Sequence, residues 1–336
     1  MTLARLEELG LNINYLESAL AGGYQLPTGF VGTKILTPFL DNSGGLHVVR
    51  APVFGPEGWR LVETKHGLQT EPAEVSFSVT YKDEQLERHA LRAPADPAEI
   101  QAGAAVGIGV AETNRQLVWA GVELRKEYVI ANTLQSTASY GAGFSETTAA
   151  GSGWNQLTGA VSNVDPVAVI RARMETVRQA NGEYPNFVMF GKTAWDAFAD
   201  NTYVTGRLAG GPGSSQNKEN TKLQDVGSWL AIDEQGEKIP NVFVGTAGYR
   251  DEVNQTMVDL WGDCCIVGIR REGTMPSRYF GVTLQEVIAE MDGIPITGVA
   301  GEYESNPWKW NVYYMSWYKE WIVNNIGAYL ILDVVK

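Results

Sequence analysis

Between residues 46 and 92 the sequence reads as strands that cannot bury themselves. Val75, Phe77, Val79 and Tyr81 alternate with Glu74, Ser76, Ser78 and Thr80, which gives a strand with one apolar and one polar face. An earlier strand is expected over Trp59-Arg60-Leu61-Val62-Glu63-Thr64, and Lys65 to Pro72 turns between the two. The result is a long hairpin with too few apolar positions for a core of its own. Its apolar face, with Trp59, Leu61, Val75, Phe77 and Val79, must lie against other protein, part of it from a neighbouring chain.

Composition points the same way. Charged residues make up 19% of the 336 and there are ten Trp, against roughly 25% charged residues in ordinary soluble domains. A chain with few charges and many aromatics covers much of its surface with other protein. Hydrophobic residues are 44%, enough for a real core and for one to three domains. The net charge is −13 with a pI near 4.8, which argues against a dedicated nucleic-acid binder. No apolar run approaches the roughly 18–20 residues of a membrane span, and Met1 to Leu20 lacks the pattern of a secretory signal. Cys264 and Cys265 are adjacent and are not expected to pair, so synthesis in the cytosol fits.

Along the chain, Leu6, Leu9, Ile13, Leu16 and Leu20 mark one helix face that stops at Gly22-Gly23, and residues 23–45 read as irregular. A long helix is expected over about 111–135, with Leu117, Gly121, Leu124, Tyr128 and Ala131 on one face. Residues 136–153 read as an open loop. Asp165 and Pro166 are the N-cap and N1 of a helix that buries Val167, Ile170, Met174 and Val177 and ends at Gly182. A strand at Phe187–Phe190 and a helix at Thr193–Asp200 follow. Residues 209–222 are glycine-rich and polar and are expected to be mobile. Strands are expected at 241–246, 256–261 and 264–270, and the stretch 309–335, turning at Asn324-Asn325-Ile326-Gly327, reads as a terminal β-hairpin.

The motifs that carry chemistry fail on their spacing. Gly191-Lys192-Thr193 sits where a phosphate loop would, but Asn186 replaces the first glycine and Tyr184-Pro185 stiffens the approach, so it reads as a helix N-cap turn. Gly107-Ile108-Gly109 has Glu112 in place of the third glycine of a dinucleotide loop. His47, His66 and His89 show no metal-ligand spacing and lie far in sequence from the cysteines, so they read as structural or surface residues. Ser145 lacks the second glycine of a nucleophile elbow. Trp308, Trp310, Trp317 and Trp321 lie in or beside an alternating strand, which favours core or interface packing over a carbohydrate platform. No catalytic residue, metal ligand or cofactor site emerges.

The order arm, extended hairpin, long helix, α/β unit with a glycine-rich loop and closing strands resembles the major capsid proteins of tailed bacteriophages, the Hong Kong 97-type α+β shell fold. Leu117 to Leu134 resembles the family's spine helix. Ser162-Asn163-Val164-Asp165-Pro166 with the helix after it, and Asn181 to Gly191, resemble the opening of its axial domain, while Asn325 to Ile331 is similar to its closing strand. The resemblance implies an N-terminal arm at 1–45 and an extended loop at 46–92 that overlaps a neighbouring subunit. It implies a peripheral domain of 93–153 and 269–336, and an axial domain of 154–268 whose 209–222 loop points to the centre of a capsomer. Trp59, Leu61, Lys65, Val75, Phe77 and Val79, with Arg207 and Pro212 at the axial loop, are then the subunit-contact candidates. One relative cross-links Lys to Asn. Lys65 with Asn324 or Asn325 are the positions such a bond would use here, although most of the family lacks it.

The function implied is a virion subunit with no enzymatic activity and no cofactor. It assembles with itself into hexameric and pentameric capsomers in the host bacterial cytoplasm. The icosahedral head encloses double-stranded DNA without sequence-specific binding and without a membrane. A portal protein and a separate scaffold or decoration protein are implied partners; a fused scaffold is not expected, because only residues 1–45 precede the hairpin. The alternatives are an encapsulin-type nanocompartment shell, which shares the fold, and a monomeric carbohydrate-binding or hydrolytic β-rich protein. The acidic balance predicts that free subunits bind duplex DNA weakly and that this binding fades steeply with salt. Titration at low and physiological salt checks it; submicromolar binding that survives physiological salt would contradict it.

Overall fold

The computed structural model describes residues 29–41, 47–54, 79–105, 109–158, 161–208, 223–231, 239–251, 253–272, 278–288, 294–295, 297–305 and 308–336. The helix expected before Gly22, the hairpin positions Trp59, Leu61, Lys65, Val75 and Phe77, His66, and the 209–222 loop with Pro212 lie outside these residues.

In chain order the elements begin with α1 (Gly32–Ile35), β1 (Pro38–Asp41), β2 (Val48–Phe54), β3 (Val79–Gln85) and β4 (Glu87–Ala95). Then come α2 (Pro97–Ala105), α3 (Val110–Gln135), β5 (Ser145–Thr147), β6 (Leu157–Thr158), β7 (Val161–Ser162), α4 (Pro166–Asn181), β8 (Phe187–Gly191), α5 (Lys192–Asp200) and α6 (Thr202–Leu208). The rest are α7 (Leu223–Trp229), β9 (Asn241–Gly245), β10 (Gly248–Arg250), β11 (Met257–Asp259), β12 (Cys265–Gly268), β13 (Gly281–Ile288), β14 (Ile294–Pro295), β15 (Thr297–Ser305), β16 (Trp308–Ile322) and β17 (Ala328–Leu332).

Two sheets organise these elements. The first is built on the 15-residue strand β16. β15 and then β13 pair antiparallel along β16, with Gly301 opposite Val312 and Thr283 opposite Glu320. β4 also pairs antiparallel with β16, Ala93 opposite Val312, and β1 lies parallel to β13. Alternation gives β16 two apolar faces: Val312, Tyr314 and Tyr318 pack with Val118 and Val122 of α3, while Met315, Trp317 and Trp321 pack with Val49, Leu86, Val282 and Leu284.

The second sheet has the order β5-β17-β12-β8-β9. Its central strands read Phe-Val-Met-Phe, Cys-Ile-Val and Ala-Tyr-Leu-Ile, with no polar alternation, as strands covered on both faces must. Val188, Phe190, Cys265, Val267, Tyr329 and Ile331 face α4 and α5. Phe187, Met189, Ile266, Ala328 and Leu330 face the C-terminal half of α3. α4 begins and ends as its sequence requires. The Asp165 carboxylate accepts the Val167 N–H at 3.1 Å, Pro166 follows, and Gly182 closes the helix at φ 74° with its N–H on Arg178 O. Gly191-Lys192-Thr193 is a strand-to-helix turn, and the Lys192 ammonium pairs with Asp196 one turn on.

Two sequence expectations are corrected. The C-terminal stretch is not a hairpin: β16 belongs to the first sheet and β17 to the second. The turn between them is fastened to Phe280, whose carbonyl accepts the N–H groups of both Val323 and Asn324. This directs the uniformly apolar Ala328–Ile331 into the interior of the second sheet. The segment 23–45 is not irregular where it is described, because it forms α1 and the strand β1. The buried face of α3 is not the stripe that begins at Leu117: Leu117 is 65% exposed, while Val118, Val122, Ile130, Ala131 and Leu134 are buried.

Close approach explains the glycine between β8 and α5. A Cβ on Gly191 would stand 2.1 Å from the Gly262 carbonyl oxygen, so Gly191→Ala is expected to cost more than about 2 kcal/mol. Gly206, inside α6, has open space around it, and Gly206→Ala is expected to stabilise by roughly 0.5–1 kcal/mol. Chemical denaturation of the two variants checks both signs.

Candidate subunit-contact surfaces

One buried carboxylate fixes the segment from which the chain's surfaces are laid out. Glu127, near the middle of α3, is almost wholly inaccessible. Its Oε1 accepts the Val31 N–H at 2.8 Å, the Gly32 N–H at 3.0 Å and the Trp261 indole N–H at 2.9 Å, and its Oε2 accepts the Gly32 N–H at 2.9 Å. Burial pushes this carboxyl up, and the donors from Val31, Trp261 and Gly32 pull it back down. Gly32 also leaves the room this contact needs, since a Cβ there would come within 2.7 Å of Oε2. From this anchor residues 29–41 run as a strap across both sheets. Thr283 Oγ1 donates to Leu36 O at 3.0 Å, β1 continues along β13, and the Arg271 guanidinium lies 4.8 Å from the Phe39 ring centroid. None of this was visible in the sequence, where Glu127 was one polar residue in a charged helix.

The described contact candidates are placed as follows. Val79 opens β3, opposite Phe54 at the outer end of the β2–β3 ribbon. Arg207 closes a two-pronged pair on Asp165, with Nη1 to Oδ1 at 2.8 Å and Nη2 to Oδ2 at 2.6 Å. Its guanidinium holds the Asp165 carboxyl below the usual range. Arg207 is therefore engaged within its own chain, on the capping residue of α4. Asn324 is engaged too: its amide donates to Asn181 Oδ1 at 2.8 Å and to Arg278 O at 3.2 Å.

The groups tested for chemistry are structural in setting. His47 stacks on Trp317 with ring centroids 5.2 Å apart, and His89 stacks on Tyr318 at 4.2 Å. Burial, with Arg125 and Lys126 nearby, lowers the His89 pKa. Trp317 and Trp321 are core residues, which excludes them from a sugar-binding platform. Cys264 and Cys265 are buried free thiols that point into different clusters, and burial pushes Cys264 up to about 12. Among the described residues no group of three or more His, Cys, Asp or Glu is placed to hold a metal ion. An open cleft of about 230 Å³ is lined by Glu183, Tyr184, Pro185, Asn186, Ile239, Asn241 and Glu272. It brings together no nucleophile and base.

Among the described residues the exposed large apolar side chains include Leu91 and Leu117 beside α3, Tyr81 on β3, Leu157 on β6, and Val253 and Met257 at the β10–β11 ribbon.

Three solved structures share this architecture. A phage-related protein from Bordetella bronchiseptica aligns over 96% of this chain and 97% of its own, with a TM-score of 0.68 and 20% identity. The capsid protein of cyanophage P-SCSP1u aligns over 92% and 90%, with 0.54 and 11%. The SrpI encapsulin of Synechococcus elongatus aligns over 96% and 96%, with 0.52 and 10%. The chain thus has the Hong Kong 97-type capsid fold. In sequence it is similar to the major capsid protein of Burkholderia phage BcepMu, at 25% identity over 294 residues, covering 84% of this chain and 86% of the relative. No family model matches the sequence.

The Glu127 network gives a direct test. Glu127→Ala leaves the Trp261 indole and the Val31 and Gly32 N–H groups buried without an acceptor, at about 1–3 kcal/mol for each such group. A loss of at least about 3 kcal/mol is expected in urea unfolding. An unchanged unfolding midpoint would contradict the network.

Proposed function

We propose that this chain is the major capsid subunit of a tailed phage: it assembles with copies of itself into the closed head of the virion. The carrying observation is the conjunction of the shell fold over nearly the whole chain with 25% identity to a phage major capsid protein over 84% of it. Its role is structural. In this reading residues 46–92 overlap an adjacent subunit, the sheet built on β16 with α3 forms the peripheral domain, and the five-stranded sheet forms the axial domain, with Arg207 and Pro212 near a capsomer centre. Hexamers and pentamers close the shell, double-stranded DNA is held inside without base-specific contacts, and a portal and a separate scaffold or decoration protein complete the head. The subunit catalyses no reaction.

An encapsulin-type compartment is the second reading, favoured by the equal coverage of the SrpI alignment. The sequence similarity to a phage major capsid protein favours the first reading. The burial of Trp317 and Trp321 counts against the monomeric sugar-binding reading.

Deleting residues 58–74 tests the overlap. The wild-type chain should sediment as large particles. The deleted chain should sediment as unassembled single subunits, with far-UV circular dichroism indicating retained secondary structure. Normal particles from the deleted chain would contradict the overlap role, and wild-type monomers at all concentrations would contradict the shell reading.

A further inference from the structure

The first half of α3 and the sheet of β4 and β16 meet at one aromatic ring. Tyr318 of β16 is wholly buried, and two basic groups share its ring. The His89 imidazole of β4 stacks on it, with centroids 4.2 Å apart and planes 15° from parallel. The Lys126 ammonium of α3 stands 5.2 Å from the same centroid. Lys126 is buried, and among the described residues it closes no ion pair. Glu123, three residues before it, accepts from the Tyr314 hydroxyl at 3.2 Å, and Glu127 holds the strap. The charged groups facing His89 come from three elements. On β4 the Glu87 carboxylate lies 4.0 Å from Nε2, but its side chain is 69% exposed and water screens its pull. On α3 stand exposed Arg125 and buried Lys126. On β16 Glu320 lies beyond Tyr318, half-buried. A proton on His89 therefore adds a second cation to a ring that already faces the charge of Lys126, where little water reaches.

We infer that this seam is a proton-sensitive joint: in mild acid His89 gains a proton and the first half of α3 loosens from β4 and β16, while the second half stays docked. Burial sets the direction. It holds the His89 pKa below its ordinary 6.5, helped by Arg125 and Lys126 and opposed by Glu87. A histidine whose folded-state pKa is lowered contributes stability that is whole above the unfolded value and is lost as pH falls toward the folded one. The nearby carboxyls act with the opposite sign. Burial raises the pKa of Glu320 and of Glu127, and a carboxyl that takes its proton more readily in the folded chain gains stability as pH falls. The second half of α3 is thus not released by the same protons. Its buried residues Ile130 and Leu134 also belong to another cluster than Val118 and Val122. The inference does not depend on the shell reading, because every group in it lies within one chain.

Hydrogen–deuterium exchange of the full-length chain reads the two halves of α3 separately. It is measured at about pH 7.5 and about pH 5.5, on either side of the ordinary histidine value, with each rate corrected for the intrinsic pH dependence of exchange. At the lower pH, peptides within 110–126 should exchange at least about threefold faster, and peptides within 128–135 should be unchanged. His89→Phe keeps a ring on Tyr318 and takes no proton, so its first half should exchange equally at both pH values. His89→Gln should do the same and keeps the test readable if the Phe variant fails to fold. His89→Lys carries a standing charge and should exchange fast at both. Lys126→Met removes the resident cation and should weaken the acid response. No acid response in the wild type, or the same response in the wild type and the neutral His89 variants, overturns the inference. An acid response spread equally over both halves of α3 overturns it too.

Discussion

One helix makes a single folded unit out of two sheets that share no strand. The buried residues Val118, Val122, Lys126, Ile130 and Leu134 of α3 are each four apart. Four residues turn an α-helix by about 400°, so the buried stripe advances about 40° at each step. The first half of α3 therefore faces β16 and the second half faces the sheet of β8, β12 and β17. The change of partner falls at two buried charges. Lys126, only 4% exposed, has its ammonium 5.2 Å from the centroid of the Tyr318 ring on one side, and burial lowers its pKa. Glu127 on the other side holds the strap and Trp261. Charges survive burial where hydrogen bonds or an aromatic face replace water, and here they mark where two hydrophobic cores meet.

The sequence was most legible where local chemistry decides. Asp165-Pro166 and Gly182 bound α4 because capping, a fixed φ and a left-handed residue act over a few positions. Phe187–Phe190 reads as a buried strand because no polar residue interrupts it. It was least legible where two elements far apart in sequence share a decision. The ending at 309–335 has alternation, a turn and an apolar run, which are local marks of a hairpin, yet the carbonyl of Phe280 sends the two strands into different sheets. The strap at 29–41 has no pattern of its own, since its fold is imposed by Glu127 and by β13.

The surface of α3 was only partly legible. The stripe from Leu117 to Ala131 is apolar at helical spacing, yet Leu117 at its start is 65% exposed while Ala131 is buried. The pair that the Arg207 guanidinium makes with the Asp165 carboxylate, which braces the cap of α4, was not legible, because the two lie 42 residues apart. The similarity to a phage major capsid protein and the shared shell fold imply a subunit that assembles with copies of itself.

That claim is tested most directly by cryo-electron microscopy of the purified wild-type chain, expressed alone and treated with nuclease. Closed particles in which repeated copies of this fold tile a curved wall are expected. A field of single 36.7-kDa subunits, unchanged as concentration rises, would contradict it.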